Sequence, residues 1–223
     1  MMKWTAFAVV LAVTGSARAQ PTASLTTMPH EPPVVSGSAE QYVLQQAAIE
    51  ARDPSDPGRP SAMLELAEAH RVLARRDEET RVLARIMLDH PAFQADRVLF
   101  RLAMALVAQN RPEQARQVWL RLIRHHPASP YVQAGYVSLA DGDAAEGDLT
   151  AARQFLERAL TLPKHPWEAY ARYRYAWVIA QQGDRAAARA ELDHAARAAS
   201  RPGQVGAAEV SAAIARDRPV LLR

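Results

Sequence analysis

Few residues in this chain have types and spacings that could do chemistry. Asp141, Asp143, Glu146 and Asp148 crowd carboxylates into one short run. A calcium loop needs further oxygen ligands at set intervals and a late glutamate, and Ala145 and Ala152 stand in those places. Gly142 and Gly147 have the glycine spacing of a phosphate loop, but Asp148 replaces the lysine and would repel phosphate. His125-His126 and the His-Pro pairs at 90–91 and 165–166 form neither a His-x-x-x-His nor a His-Glu-x-x-His arrangement. They suit helix C-termini, where histidine complements the dipole. Glu168 beside Trp167 is the nearest approach to an isolated acid in an aromatic cleft, the minimum for a glycan-cleaving helical superhelix. It has no second carboxylate, and no nucleophile elbow or Ser-x-x-Lys accompanies it. These residues imply no catalytic site, no metal and no cofactor, so the expected function is binding and not catalysis.

Bulk composition points the same way. Lys3, the apolar run Trp4–Val13 and the small-x-small site Ala17-Arg18-Ala19 read as a secretory signal over residues 1–19, cleaved after Ala19. The run is short of the roughly 20 residues that span a bilayer. The expected mature protein is periplasmic, with no integral membrane span. The chain has no cysteine, which excludes disulfides and a lipoprotein anchor. Once Lys3 and Arg18 are lost, 25 basic residues face 24 acidic ones, which gives nucleic-acid binding no support.

The elements that would position a binding surface are helices. Residues 20–37, with Pro21, Pro29, Pro32 and Pro33, show no apolar periodicity and are expected to be a flexible tether. Residues 38–52 are expected as a capping helix with Ser38 at its N-cap and Tyr42, Val43, Ala47 and Ile49 on its apolar face, stopped by the Pro-rich segment Asp53–Pro60. Beyond it, Ala67, Ala103, Ala140, Ala176 and Ala212 are separated by 36, 37, 36 and 36 residues, and Pro91, Pro127 and Pro163 by 36 each. A period of this size is the mark of a solenoid. Each unit divides into two helices. Leu99, Leu102, Ala103 and Leu106 face inward from the first helix of the second unit, and Ala115, Trp119, Leu122 and Ile123 from its second, with Pro112 suited to a first helical position. In the third unit Asp148 is a helix cap after Gly147, ahead of Ala152, Leu156 and Ala159. In the fourth unit Tyr175, Ala176 and Ile179 face inward before Gly183-Asp184, and Ala188, Leu192 and Ala195 follow. A final helix over 204–216, presenting Ala208, Ala212 and Ala215, would seal the end of a solenoid covering residues 60–216, and 217–223 would be a tail.

These residues resemble the tetratricopeptide repeat (TPR) family. Its unit has a small residue at place 8, glycine or a polar residue near 15, alanine at 20, a large apolar residue at 24, alanine at 27 and proline at 32. The second unit supplies Ala103, Asn110, Ala115, Trp119, Leu122 and Pro127. The first diverges most, with Glu79 where a small residue belongs. The resemblance implies an all-α, right-handed solenoid of about four helix pairs with capping helices at both ends. The unit length, the export signal and the His-Pro joints are similar to TPR proteins of bacterial cell envelopes, including those associated with Tol-Pal, outer-membrane assembly and gliding motility.

In that family the first helix of each unit lines a concave groove. Carried over, its groove places hold Arg97, Phe100, Met104 and Val107 in the second unit and Tyr170, Tyr173, Trp177 and Ala180 in the fourth, with Arg101 and Arg174 beside them. Aromatics and arginine are favoured anchors. The resemblance therefore implies a scaffold that binds a protein or peptide partner in the cell envelope. Coverage of the aromatics by a terminal segment, or self-association as a homo-oligomer, is the alternative.

Overall fold

The computed structural model describes residues 28–29, 37–162 and 166–221. The expected signal, most of the expected tether and Pro163, expected to end a helix, lie outside the described residues. Eleven helices follow one another among those described: α1 (Ala39–Leu44), α2 (Gln46–Glu50), α3 (Arg59–Val72), α4 (Arg76–Asp89), α5 (Ala95–Ala108), α6 (Pro112–His125), α7 (Val132–Ala145), α8 (Leu149–Thr161), α9 (Glu168–Gln181), α10 (Arg185–Ala199) and α11 (Ala207–Leu221). Pairs α3–α4, α5–α6, α7–α8 and α9–α10 are the four units, and each pair packs on the next.

The tight turn inside each unit recurs at one place. Ala74, Asn110, Gly147 and Gly183 all have positive φ, from 55° to 96°. In the last two units the following aspartate then caps the next helix. Asp148 accepts from the Ala151 amide and Asp184 from the Ala187 amide, each at 2.9 Å. Pro112 opens α6, where a missing N–H costs nothing. His90 and His126 sit at the C-caps of α4 and α6.

The second helix of each unit buries the expected face: Ala115, Trp119 and Leu122 in α6, Ala152, Leu156 and Ala159 in α8, Ala188, Leu192 and Ala195 in α10. Small residues here set the helix spacing. Ala152 is fully buried, so Ala152→Leu is expected to overpack the α7–α8 pair and cost about 1–3 kcal/mol, read as a lowered Tm. An unchanged Tm would mean that α8 faces its partner in another register. Gly135 in α7 meets a similar constraint. A Cβ there would lie 3.2 Å from the Trp119 ring and 3.3 Å from Ile123.

Four expectations need correction. The N-terminal cap is two short helices broken at Gln45, and Ala47 is exposed while Ile49 carries the packing. Ser38 occupies the N-cap, but its hydroxyl donates to Glu40 and leaves the helix amides uncapped by side chains. The face of α11 is shifted by two: Ala208, Ala212 and Ala215 are exposed, and Val210, Ile214 and Asp217 are buried, with Ala213 and Leu221 beside them on the same face. Gly203 and Gly206, both at positive φ, lengthen the approach to α11 and reset its register. Residues 217–221 are not a tail. The helix continues through Pro219 because Leu221 is buried and Asp217 accepts a 2.5 Å hydrogen bond from the Tyr173 hydroxyl.

Glu79, the misfit in the first unit, is buried and pairs with Arg76 at 2.9 Å. Burial raises its carboxyl above the ordinary value, against the pull of Arg76. This part of the chain has its own core, with Ile49, Met63, Leu66, Val82, Leu83 and Ile86, while a second core runs from α5 to α11.

Candidate interaction site

The leading helices are tied in two pairs, α3 to α5 and α7 to α9, by side chains at equivalent places. Glu68 of α3 forms an ion pair with Arg101 of α5, and Arg71 also donates to it at 2.9 Å. The same pair recurs two units on, where Arg174 Nε of α9 donates to Asp141 of α7 at 2.6 Å and the Tyr170 hydroxyl donates to the other carboxylate oxygen at 2.9 Å. Burial raises the Asp141 carboxyl, and the charge of Arg174 and the two hydrogen bonds work against that rise. Burial also pushes the Tyr170 hydroxyl well up, and the neighbouring carboxylate adds to it.

Between α5 and α7 the corresponding places hold Met104 and Ser138, so no ion pair crosses. A cavity of about 310 Å³ opens at that junction, lined by Met104, Val107, Trp119, Ser138, Leu139 and Asp141 among others. Met28 also lines it. A piece of the segment expected to be a flexible tether is therefore docked. Met28 is only 4% exposed within the second core, and the carbonyl of Pro29 accepts a 3.2 Å hydrogen bond from Trp167 Nε1. Gly206, at φ 67°, faces the Pro29 ring so closely that a Cβ there would collide with it.

Aromatic rings build the floor. Phe100 of α5 stacks on Tyr131 at 4.5 Å and 14°, and lies tilted against Trp167 at 5.4 Å and Trp119 at 5.9 Å. Tyr131 and Trp167 are the N-cap residues of α7 and α9. They occupy equivalent places 36 residues apart, so extending the repeat comparison two residues ahead of each leading helix would have found both.

The residues expected to line the groove fall into three groups. Arg97 is half-buried and donates to Gln94 at 3.2 Å. Phe100 and Met104 are buried beside Met28 in the second core. Arg101, Tyr170, Tyr173 and Arg174 are buried in hydrogen bonds and ion pairs that join α5 to α3 and α9 to α7 and α11, and Trp177 is buried on α9 with an indole N–H that has no partner among the described residues. The premise that these large groups stand clear of packing is corrected: stacking of unit on unit buries most of them. Trp119 Nε1 likewise has no hydrogen-bond partner among the described residues, although the ring is only 1% exposed.

The remaining candidates are engaged elsewhere. Asp143 pairs with Arg116 at 2.6 Å, Asp148 is a helix cap, and among the described residues no cluster of three or more metal-ligating side chains occurs. Glu168 accepts from Arg172 at 2.9 Å and Arg201 at 2.8 Å. Burial pushes its carboxyl up, but the two arginines outweigh this and hold it below its ordinary value. A general acid needs the opposite shift. Among the described residues no helix is long and apolar enough to cross a membrane.

Comparison with known proteins agrees with this architecture. No curated protein matches the chain. Among solved structures, MamA 41-end from Desulfovibrio magneticus RS-1 is similar with a TM-score of 0.52 at 14% identity, covering 73% of this chain and 95% of that one. A MamA structure designated AMB-1 has a TM-score of 0.52 at 20% identity, over 70% of this chain and 89% of the other. At such identities the likeness shows the fold alone. The profile of the tetratricopeptide repeat-like domain matches residues 82–204, more than half of the 223. The chain belongs to the tetratricopeptide repeat-like family, whose stacked helix pairs form a protein-interaction scaffold.

Proposed function

We propose that this protein is an exported, non-enzymatic adaptor that holds a segment of a partner protein against the aromatic face between α5, α7 and α9, in the bacterial cell envelope. The observation that carries the reading is the hydrogen bond from Trp167 Nε1 to the Pro29 carbonyl: peptide backbone already lies on that face. A rigid solenoid binds by preorganisation, since its side chains are ordered before the partner arrives. The leader-like residues 1–19 support export.

The test is crosslinking and co-purification from the native envelope, comparing wild type with two surface variants. Val107 lines the cavity and is 36% exposed, whereas Leu88 borders a separate hollow formed with Leu99, Leu102 and Val118. Val107→Arg is expected to lose the captured partner and Leu88→Arg to keep it. Loss with Leu88→Arg alone would move the interaction to the other face. Mass spectrometry of the purified protein is expected to find an N-terminus at Gln20, and an intact leader would sink the export reading.

A further inference from the structure

We propose that Met28–Pro29 is the chain's own occupant of a seat for an extended partner segment, one in which a large apolar residue directly precedes a proline, and that the partner binds by displacing it. This rests on the adaptor reading above. The seat is built for backbone as well as side chains. Trp167 donates to the Pro29 carbonyl, and Gly206 leaves room for the proline ring that any side chain would take away. An indole N–H on a carbonyl beside proline, in an aromatic-lined groove, is the general chemistry by which extended proline-containing segments are held.

The resident dipeptide fits the seat incompletely. The Met28 side chain leaves about 310 Å³ open beside it, bordered by the Trp119 ring and Met104. A cavity forfeits dispersion contacts along its lining. An occupant in the same chain competes at an effective concentration on the order of millimolar. A partner must therefore bind better than Met28–Pro29 does, and the open volume is where it gains. A bulkier side chain at the Met28 place fills it. The internal segment keeps the apolar seat covered until such a partner arrives.

The probes are a fluorescent peptide copying residues 25–31 and the same peptide with Met28→Phe, titrated against the purified chain by anisotropy. Wild type is expected to bind weakly. Met28→Ser/Pro29→Ser, confirmed folded by circular dichroism, is expected to bind at least tenfold more tightly, and the Met28→Phe peptide more tightly than the copy. Adding Gly206→Ala to the opened variant should lower affinity at least tenfold, because the new Cβ blocks the peptide's proline. Met28→Ser alone provides a second opened variant should the double one fail to fold. Equal binding by wild type and opened chain, no binding by the opened chain, or no preference for the larger side chain would overturn the proposal. So would an opened chain that doubles its mass and excludes peptide, since the seat would then belong to a second copy. Envelope capture that depends on Val107 alongside peptide failure would leave the adaptor reading standing and remove this one.

Discussion

Replacing Arg174 with methionine is expected to lower stability by about 3–5 kcal/mol, the usual consequence of removing one partner from a buried ion pair. Asp141 would remain between α7 and α9 with its hydrogen bond from Tyr170 but without the guanidinium at 2.6 Å. Burial already raises the Asp141 carboxyl in the wild type, and Arg174 is the charge that restrains the rise. Without it the folded-state value moves further up. A folded state that holds a carboxyl proton more tightly than the unfolded state loses stability as pH rises through the raised value, and regains it on acidification. The gap between Arg174→Met and wild type should therefore narrow as pH falls from neutrality through the raised Asp141 value. The paired variant Asp141→Asn/Arg174→Met should recover most of the loss at neutral pH, because no charge is left buried. Urea unfolding of the three proteins across pH decides it. A pH-independent gap, or a double variant as unstable as the single one, would mean that the pair is solvated.

Trp119→Ala is expected to cost a similar amount, about 3–5 kcal/mol. The indole is 1% exposed, sits against Phe100, and fills the space that Gly135 leaves on α7. Its removal would join that space to the cavity already present between α5 and α7. Trp119→Phe should cost much less, since it keeps most of the ring contact and its missing N–H removes a buried donor that has no partner. Gly135 sharpens the comparison. In the wild type a Cβ at that position crowds the Trp119 ring at 3.2 Å. With alanine at position 119 the ring contact is gone and only Ile123, at 3.3 Å, still crowds that Cβ, so Gly135→Ala should recover part of the roughly 1 kcal/mol of helix propensity that alanine has over glycine. The two substitutions should thus be non-additive in a double-mutant cycle. Additivity would show that α7 does not depend on glycine to approach the ring.

Which features were readable from sequence follows from the distance over which each is determined. The 36-residue period, the paired helices, the Gly-Asp joints at 147–148 and 183–184 and the apolar faces of α6, α8 and α10 rest on residues within a few turns of each other. Hydrophobic periodicity and cap chemistry are local, so they survive without a structure. The face of α11 was misplaced because two glycines at positive φ lengthen its approach, and an alanine-rich helix offers little apolar contrast to mark the shift. Residues 217–223 were expected to be a tail, but burial of Asp217 and Leu221 carries the helix on through Pro219.

The candidate site was less legible. Arg101 and Arg174 fall on the right helices, but their type cannot distinguish a ligand-facing arginine from one paired with a carboxylate 33 residues earlier. Tyr173 answers Asp217, and Trp167 answers Pro29, 138 residues away in the chain. By itself the sequence determined a four-unit helical solenoid with large aromatics on its leading helices, because repeats and turns are encoded locally. Tertiary structure decided which of those aromatics are spent on stacking the units, where a cavity remains, and that Met28 lines it while the Pro29 carbonyl meets Trp167. Contacts between residues far apart in the chain depend on how the units pack, and no local pattern records that.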